Sequence, residues 1–169
     1  MSDDVERLVA AWQRERPDLD LTPMEVLSRV SRLSHHLDVA RRRAFAEQDL
    51  ELWEFDVLAA LRRAGDPYEL SPGQLLRETL VTSGTMTNRV DRLTARGLVA
   101  RGPAPEDRRS VRVRLTPEGR DRVDGAFALL LDQERALLTS LDRGEHRALA
   151  DTLRVLLTRI EHDDTVRRA

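Results

Sequence analysis

Two neighbouring stretches decide the fold: Ser71-Pro72-Gly73-Gln74-Leu75-Leu76, and then Val81-Thr82-Ser83-Gly84-Thr85-Met86-Thr87-Asn88-Arg89-Val90-Asp91-Arg92-Leu93-Thr94-Ala95-Arg96-Gly97-Leu98-Val99. The first opens with a capping box, Ser71 to Gln74, in which each side chain can satisfy the other residue's free backbone N–H. The second carries Met86, Val90 and Leu93 at helical spacing over Ser83 to Arg96 and stops at Gly97. Two short helices joined by a tight turn through Leu80-Val81-Thr82 make a helix-turn-helix. Behind it, Leu98 to Arg101 reads as a strand, Gly102-Pro103-Ala104-Pro105 as a turn, and Ser110-Val111-Arg112-Val113-Arg114-Leu115 as a second, alternating strand. A hairpin directly behind a reading helix is a wing.

Outward from this motif the chain reads as helix. Val5, Leu8, Val9 and Trp12 mark a short amphipathic helix from Asp4 to Glu15, broken by Arg16-Pro17-Asp18. Thr22-Pro23-Met24-Glu25 looks like a capping box opening a long helix through Val26, Val30, Leu33 and Leu37. A third helix runs from Glu51 to Arg63 with Phe55, Leu58 and Leu61 inward. Beyond the wing, Thr116-Pro117-Glu118 caps a helix carrying Val123, Phe127, Leu130, Leu131, Leu137 and Leu138. Asp142 to Glu145 starts a last one, with Leu149, Leu153, Leu156, Leu157 and Ile160 on a wide leucine stripe. Two long terminal helices have too little of their own domain to bury such stripes, which points to a second copy. The expectation is a mainly α chain with a two-stranded β-wing, a homodimer through its N- and C-terminal helices. It divides into N-terminal helices (1–50), a DNA-binding winged helix-turn-helix (51–116) and C-terminal dimerisation helices (117–169).

Composition narrows the chemistry. The 169 residues include no cysteine, and all 28 basic residues are arginine. Disulfides, thiolate metal sites and cysteine nucleophiles are excluded, as are a Schiff-base amine and a phosphate-loop lysine. A GC-rich coding sequence accounts for the arginine total. No nucleophile elbow, phosphate-binding glycine loop, paired-carboxylate motif or zinc spacing is present, so neither an enzyme nor a cofactor or metal is expected. His35-His36, His146 and His162 read as structural or solvated, with pH sensing at a dimer interface the sharper alternative. The start Met1-Ser2-Asp3-Asp4 resembles no signal peptide, and no stretch approaches a membrane span, so a cytoplasmic protein is expected.

Charge is unevenly placed. The formal net charge is -2, yet Thr82 to Arg120 holds nine arginines against four acids, a net of +5, and the remainder carries -7. A basic segment inside an acidic body suits a nucleic-acid surface. In a helix-turn-helix the second helix enters the major groove, and short polar residues near its start reach base edges. Ser83, Thr85, Thr87 and Asn88 fit that role; Arg89 and Arg92 add reach to guanine edges or phosphates. Arg108 and Arg109, in the wing tip Glu106-Asp107-Arg108-Arg109, suit the minor groove or backbone. Asp91 on the reading helix is a tension, unless it pairs with an arginine. The expected partner is double-stranded DNA carrying a pseudo-palindromic operator, with no membrane involved. A winged-helix module for protein contact is the alternative, and it predicts no salt-dependent DNA binding.

Asp107-Arg108-Arg109-Ser110 leading to Leu115-Thr116, together with Val81 to Arg89 and Leu93-x-x-x-Gly97-Leu98-Val99, resembles the MarR family of winged helix-turn-helix repressors from about Met24 to Ile160. The resemblance implies an obligate homodimer. The extra N-terminal helix, the Arg16-Pro17-Asp18 turn and Glu54-Phe55-Asp56-Val57-Leu58 are similar more narrowly to the urate-responsive branch. That likeness implies a ligand site at Trp12, Asp56, Arg89 and Arg101. Chemically, an aromatic plane can stack on a flat anion, two arginines can bind its charge, and a carboxylate can accept from its N–H groups. A small anionic effector, urate-like or a polycarboxylate such as citrate or trans-aconitate, is therefore expected. The open alternatives are helix packing for Trp12, a buried structural ion pair for Asp56, plain DNA contacts for Arg89 and Arg101, and a regulator with no effector.

Overall fold

The computed structural model describes residues 3–79, 81–103 and 111–168. Two compact units are present, 1–131 and 132–169. Among the described residues, seven helices and three short strands follow one another: α1 (Asp4–Glu15), α2 (Thr22–Ala46), α3 (Leu52–Arg63), β1 (Glu69–Leu70), α4 (Pro72–Thr79), α5 (Ser83–Ala95), β2 (Val99–Pro103), β3 (Val111–Leu115), α6 (Pro117–Leu137) and α7 (Arg143–Arg168). This is the expected mainly helical winged motif. Leu80 and the wing tip 104–110, with Arg108 and Arg109, lie outside the described residues.

Local chemistry accounts for the helix ends. The Ser71–Gln74 box forms as read: Ser71 N donates to Gln74 Oε1 at 2.8 Å and Gln74 N to Ser71 Oγ at 3.2 Å. Thr82 caps α5, accepting from Thr85 N. That helix ends in a left-handed turn at Gly97 (φ +71°), with Leu98 N donating to Leu93 O and Gly97 N to Thr94 O, each at 3.0 Å. The box expected at Thr22–Glu25 does not form. Thr22 is already helical, and both its N–H and its hydroxyl donate to Asp20 Oδ1, so Asp20 supplies the capping oxygen. At α3 the acid pair Glu51 and Glu54 opens the helix, with Glu51 N donating to Glu54 Oε2 at 2.9 Å.

The wing gains a strand. β1 pairs antiparallel with β3, giving the order β1-β3-β2 with Leu70 opposite Val113. A two-residue strand carries too little alternation to be read from sequence. β2 also runs further than expected, placing Gly102 and Pro103 opposite Arg112 and Val111 rather than in the turn. As an edge strand bonded only to β3, it tolerates a proline that has no N–H to donate.

The core lies in the first unit. Phe45 from the end of α2 stacks on Phe55 of α3 at 4.0 Å between ring centroids. Around them Leu58 and Leu61, Leu75 of α4, Met86, Val90 and Leu93 of α5, Val113 of β3 and Val123 of α6 are buried. Thus the inward stripe of the reading helix anchors on α4 and the wing, leaving its opposite face in solvent. α1 packs on α2 through Val5. In the second unit, α7 opens with a reciprocal box in which Asp142 N donates to Glu145 Oε2 and Glu145 N to Asp142 Oδ1, each at 2.9 Å.

Candidate nucleic-acid interface

Ser83, Thr85, Thr87 and Asn88 are all exposed, spread around α5 outside its buried Met86, Val90 and Leu93 stripe. Thr85 Oγ1 bonds Thr82 Oγ1 at 2.9 Å, and Thr87 Oγ1 donates back to Ser83 O at 3.1 Å. Arg89 and Arg92 share one neighbour that sequence reasoning missed, the indole of Trp53 at the start of α3. The guanidinium carbons lie 5.5 Å and 4.7 Å from its ring centroid. Such cation–π packing keeps both cations extended over a flat surface. These residues, with Gly84, Thr85 and Asn88, line an open cleft of about 490 Å³. No sequence signal connects position 53 with positions 36 and 39 residues later.

Much of the basic charge is already engaged. Arg101 on β2 pairs with Asp91 of α5 at 2.8 Å and donates to Thr87 O at 3.4 Å, which ties the base of the wing to the reading helix and resolves the oddity of Asp91. Arg114 pairs with Glu69 of β1 at 2.7 Å. Arg92 pairs with Glu51 at 3.2 Å. Arg96, at the C-cap of α5, reaches Glu54 Oε2 at 2.5 Å and the carboxylate and carbonyl of Asp49 at 2.6 Å. Glu54 is the one buried charged residue among those described, 1% exposed. Of the α5 arginines, Arg89 alone has no carboxylate partner among the described residues.

The four positions singled out for a ligand do not converge in the single chain. Trp12 is 47% exposed on α1. Asp56 is exposed on α3 with no ion pair to a described residue, so the alternative of a buried structural acid falls instead on Glu54, two positions earlier. Arg89 lies in the Trp53 cleft, whereas Arg101 lines a separate cleft of about 230 Å³ with Leu76, Met86, Thr87, Val90 and Val111. No hydrogen bond, ion pair or ring contact among the described residues joins Trp12 or Asp56 to either arginine. His35 and His36 are exposed on α2, ring edge to ring face at 6.0 Å. Among the described residues no group of acids and histidines is arranged to hold a metal, and no helix is long and apolar enough to cross a membrane.

Comparison with known proteins agrees with this geometry. The family model described as MarR family matches residues 48–110. The transcriptional regulator PecS of Dickeya dadantii is 39% identical over 158 residues, covering 94% of this chain and 93% of that protein. The transcriptional repressor NicR of Pseudomonas putida is 32% identical over 144 residues, covering 82% and 89%. Among solved structures, a mutant MarR of Escherichia coli complexed with operator DNA superposes with a TM-score of 0.61 at 28% identity, covering 82% of this chain and 99% of that one. Bordetella bronchiseptica BpsR, whose DNA binding is regulated by 6-hydroxynicotinic acid, also gives 0.61 at 28% identity, covering 78% and 91%. The fold, the exposed polar face of α5 and a relative matched over nearly its whole length place this chain in the MarR family of winged-helix transcriptional regulators.

Proposed function

We propose that this chain is a homodimeric, cytoplasmic repressor that binds a pseudo-palindromic operator and is released by a small planar or polycarboxylate anion. The observation that carries the reading is the exposed polar face of α5, bordered by Arg89 and Arg92 and braced by the wing through Arg101–Asp91. Residues 51–116 would read DNA, with Arg108 and Arg109 of the wing tip on the backbone or minor groove; residues 1–50 and 117–169 would pair the two copies. Exposed stripes support that pairing: Val26, Leu27, Val30, Leu33 and Leu37 on α2, and Leu149, Leu153, Leu156, Leu157 and Ile160 on α7.

Effector release follows from which contacts an anion must break. An anion recruiting Arg101 competes with Asp91 and frees the wing base from α5. One recruiting Arg89 draws it from the Trp53 ring and from the reading face. Trp12 supplies a stacking plane and Asp56 an acceptor for N–H groups. Ligand and operator then bind antagonistically, and the coupling is reciprocal. BpsR, regulated by an aromatic acid, is a precedent for this effector chemistry in a relative.

Selection from a randomised duplex pool should return two half-sites about 10 bp apart. Affinity for that site should fall steeply between about 50 and 200 mM salt. Urate, citrate and trans-aconitate titrated against the complex should separate the effectors, and Trp12→Ala should weaken the response while sparing operator affinity. A flat salt dependence removes the DNA reading; failure of all three anions to release DNA removes the effector assignment.

A further inference from the structure

We propose that Glu51 is an internal stand-in for a DNA phosphate, holding the cation that the operator backbone would otherwise recruit and so limiting how tightly the reading helix engages any duplex. This rests on the DNA-binding reading above.

Glu51 is the N-cap of α3, its side chain paired with the Glu54 backbone N–H in the capping box of that helix, and its carboxylate also takes two side-chain donors from different elements. Oε2 accepts from the Trp53 indole Nε1 at 2.6 Å, and Oε1 accepts from Arg92 Nη2 at 3.2 Å. Two anionic oxygens bonded by a guanidinium N–H and an indole N–H reproduce the way non-bridging phosphate oxygens are held. The carboxylate sits beside the cleft lined by Trp53, Gly84, Thr85, Asn88, Arg89 and Arg92, on the exposed side of α5 that faces DNA in this reading. A phosphate entering there meets Arg89 unopposed by any described carboxylate, but it must take Arg92 from Glu51. Both side chains of the Arg92–Glu51 pair are more than half exposed, so the pair is weak enough to exchange. Trp53 keeps Arg92 extended over its ring throughout. The other carboxylates around α5 differ: Asp91 holds Arg101 of the wing, and Glu54 and Asp49 together hold Arg96 at the C-terminal end of the helix, so all three fix structure rather than compete at the open cleft.

The test is fluorescence anisotropy with a mixed-sequence duplex of about 30 bp between about 50 and 300 mM NaCl, which needs no knowledge of the operator. Glu51→Gln keeps an acceptor for the indole N–H and removes the charge. It should tighten binding roughly twofold to fivefold at the low-salt end and steepen the salt slope by up to about 0.9, the increment of one added phosphate contact. Glu51→Ser, a second uncharged N-cap, should give the same gain should the Gln variant fold poorly. Both gains should vanish when Arg92→Gln is added. Asp151→Asn, removing an acid from an exposed ion pair on α7, should leave binding unchanged. Unchanged or weaker binding by Glu51→Gln, a gain that survives Arg92→Gln, or an equal gain from Asp151→Asn overturns the proposal while leaving the DNA reading intact. Absence of salt-dependent binding by the wild-type protein overturns both.

Discussion

At the scale of single residues, the charge that matters most to the integrity of the reader is hidden. Glu54 lies on the same helical stripe as Phe55, Leu58 and Leu61, and its carboxylate is satisfied by Arg96 from the end of α5. Arg96 also grips Asp49, which in turn pairs with Arg122 of α6 at 3.0 Å. The recognition helix is thereby fixed at its C-terminus to the α2–α3 turn, α3 and α6. Arg96→Met would leave a buried carboxylate without its cation, a loss of about 3 kcal/mol or more; chemical denaturation should show it as a lowered midpoint with unchanged slope, and a cost under about 1 kcal/mol would contradict the role. Gly119 carries a steric version of the same point. A Cβ there would meet Leu98 O at 2.0 Å, a backbone atom that cannot swing aside. Gly119→Ala should therefore cost about 1–3 kcal/mol by forcing α6 off the base of β2, whereas the same change at Gly84, with open space around it, should be tolerated. The sequence contained half of the Glu54 signal, an acid on an apolar stripe. It contained nothing to point to Arg96, 42 residues away, and the acid that the family likeness marks on this helix is Asp56, which the fold leaves in solvent.

Among elements, α1 shows how a peripheral helix is held by charge. Val5 is its one buried side chain, and ion pairs add to the attachment to α2: Asp3–Arg29 at 2.8 Å, Asp4–Arg32 at 2.9 Å and Glu6–Arg29 at 3.9 Å. The hydrogen bond from Arg29, then that from the Glu6 backbone N–H, holds the Asp3 carboxyl below its ordinary value of 3.8. A carboxyl depressed in the folded state stabilises above its unfolded pKa and loses that contribution as pH falls through the folded one. The α1–α2 attachment should accordingly be intact at neutral pH and loosen as pH falls below 3.8. In a Trp53→Phe background, leaving Trp12 as the sole indole, emission should shift in that window, and Asp3→Asn should weaken the attachment at pH 7. An Asp3→Asn variant whose emission at pH 7 matches that of its parent would assign the attachment to the apolar contact of Val5 instead. Elements of this kind were largely readable, because local hydrogen bonding and apolar period determine them: α1, α4 and α5 and the Ser71 and Asp142 caps follow the sequence reading. The exceptions have local causes too. Asp20 outcompetes Thr22 as the cap of α2, and β1 exists only because β3 offers it an edge.

Over the whole molecule, the net of +5 across Thr82–Arg120 overstates the charge displayed to DNA. Asp49, Glu51 and Glu54 from the α2–α3 region and Glu69 from β1 reach into the basic segment and pair with Arg96, Arg92 and Arg114. A linear charge count cannot see such long-range pairing. What the count left intact is the reading face itself. No described side chain of α7 is buried, although Leu153, Leu156, Leu157 and Ile160 are 36–56% exposed on one leucine-rich stripe. A lone amphipathic helix is marginal in water, and its stability comes from packing that stripe. In the proposed dimer a second copy provides the packing, so folding of α7 and assembly are one process. The melting temperature of the wild type should then rise with protein concentration. Leu153→Glu combined with Leu157→Glu places charge on both turns of the stripe and should yield monomers in sedimentation, with helix content reduced by roughly the length of α7. Operator binding should weaken by more than about 100-fold, because the two half-sites are no longer engaged as one unit. A double variant that sediments as a dimer would place the interface on α1 and α2 without α7; a monomer that still binds the full operator at wild-type affinity would remove the need for a second copy altogether.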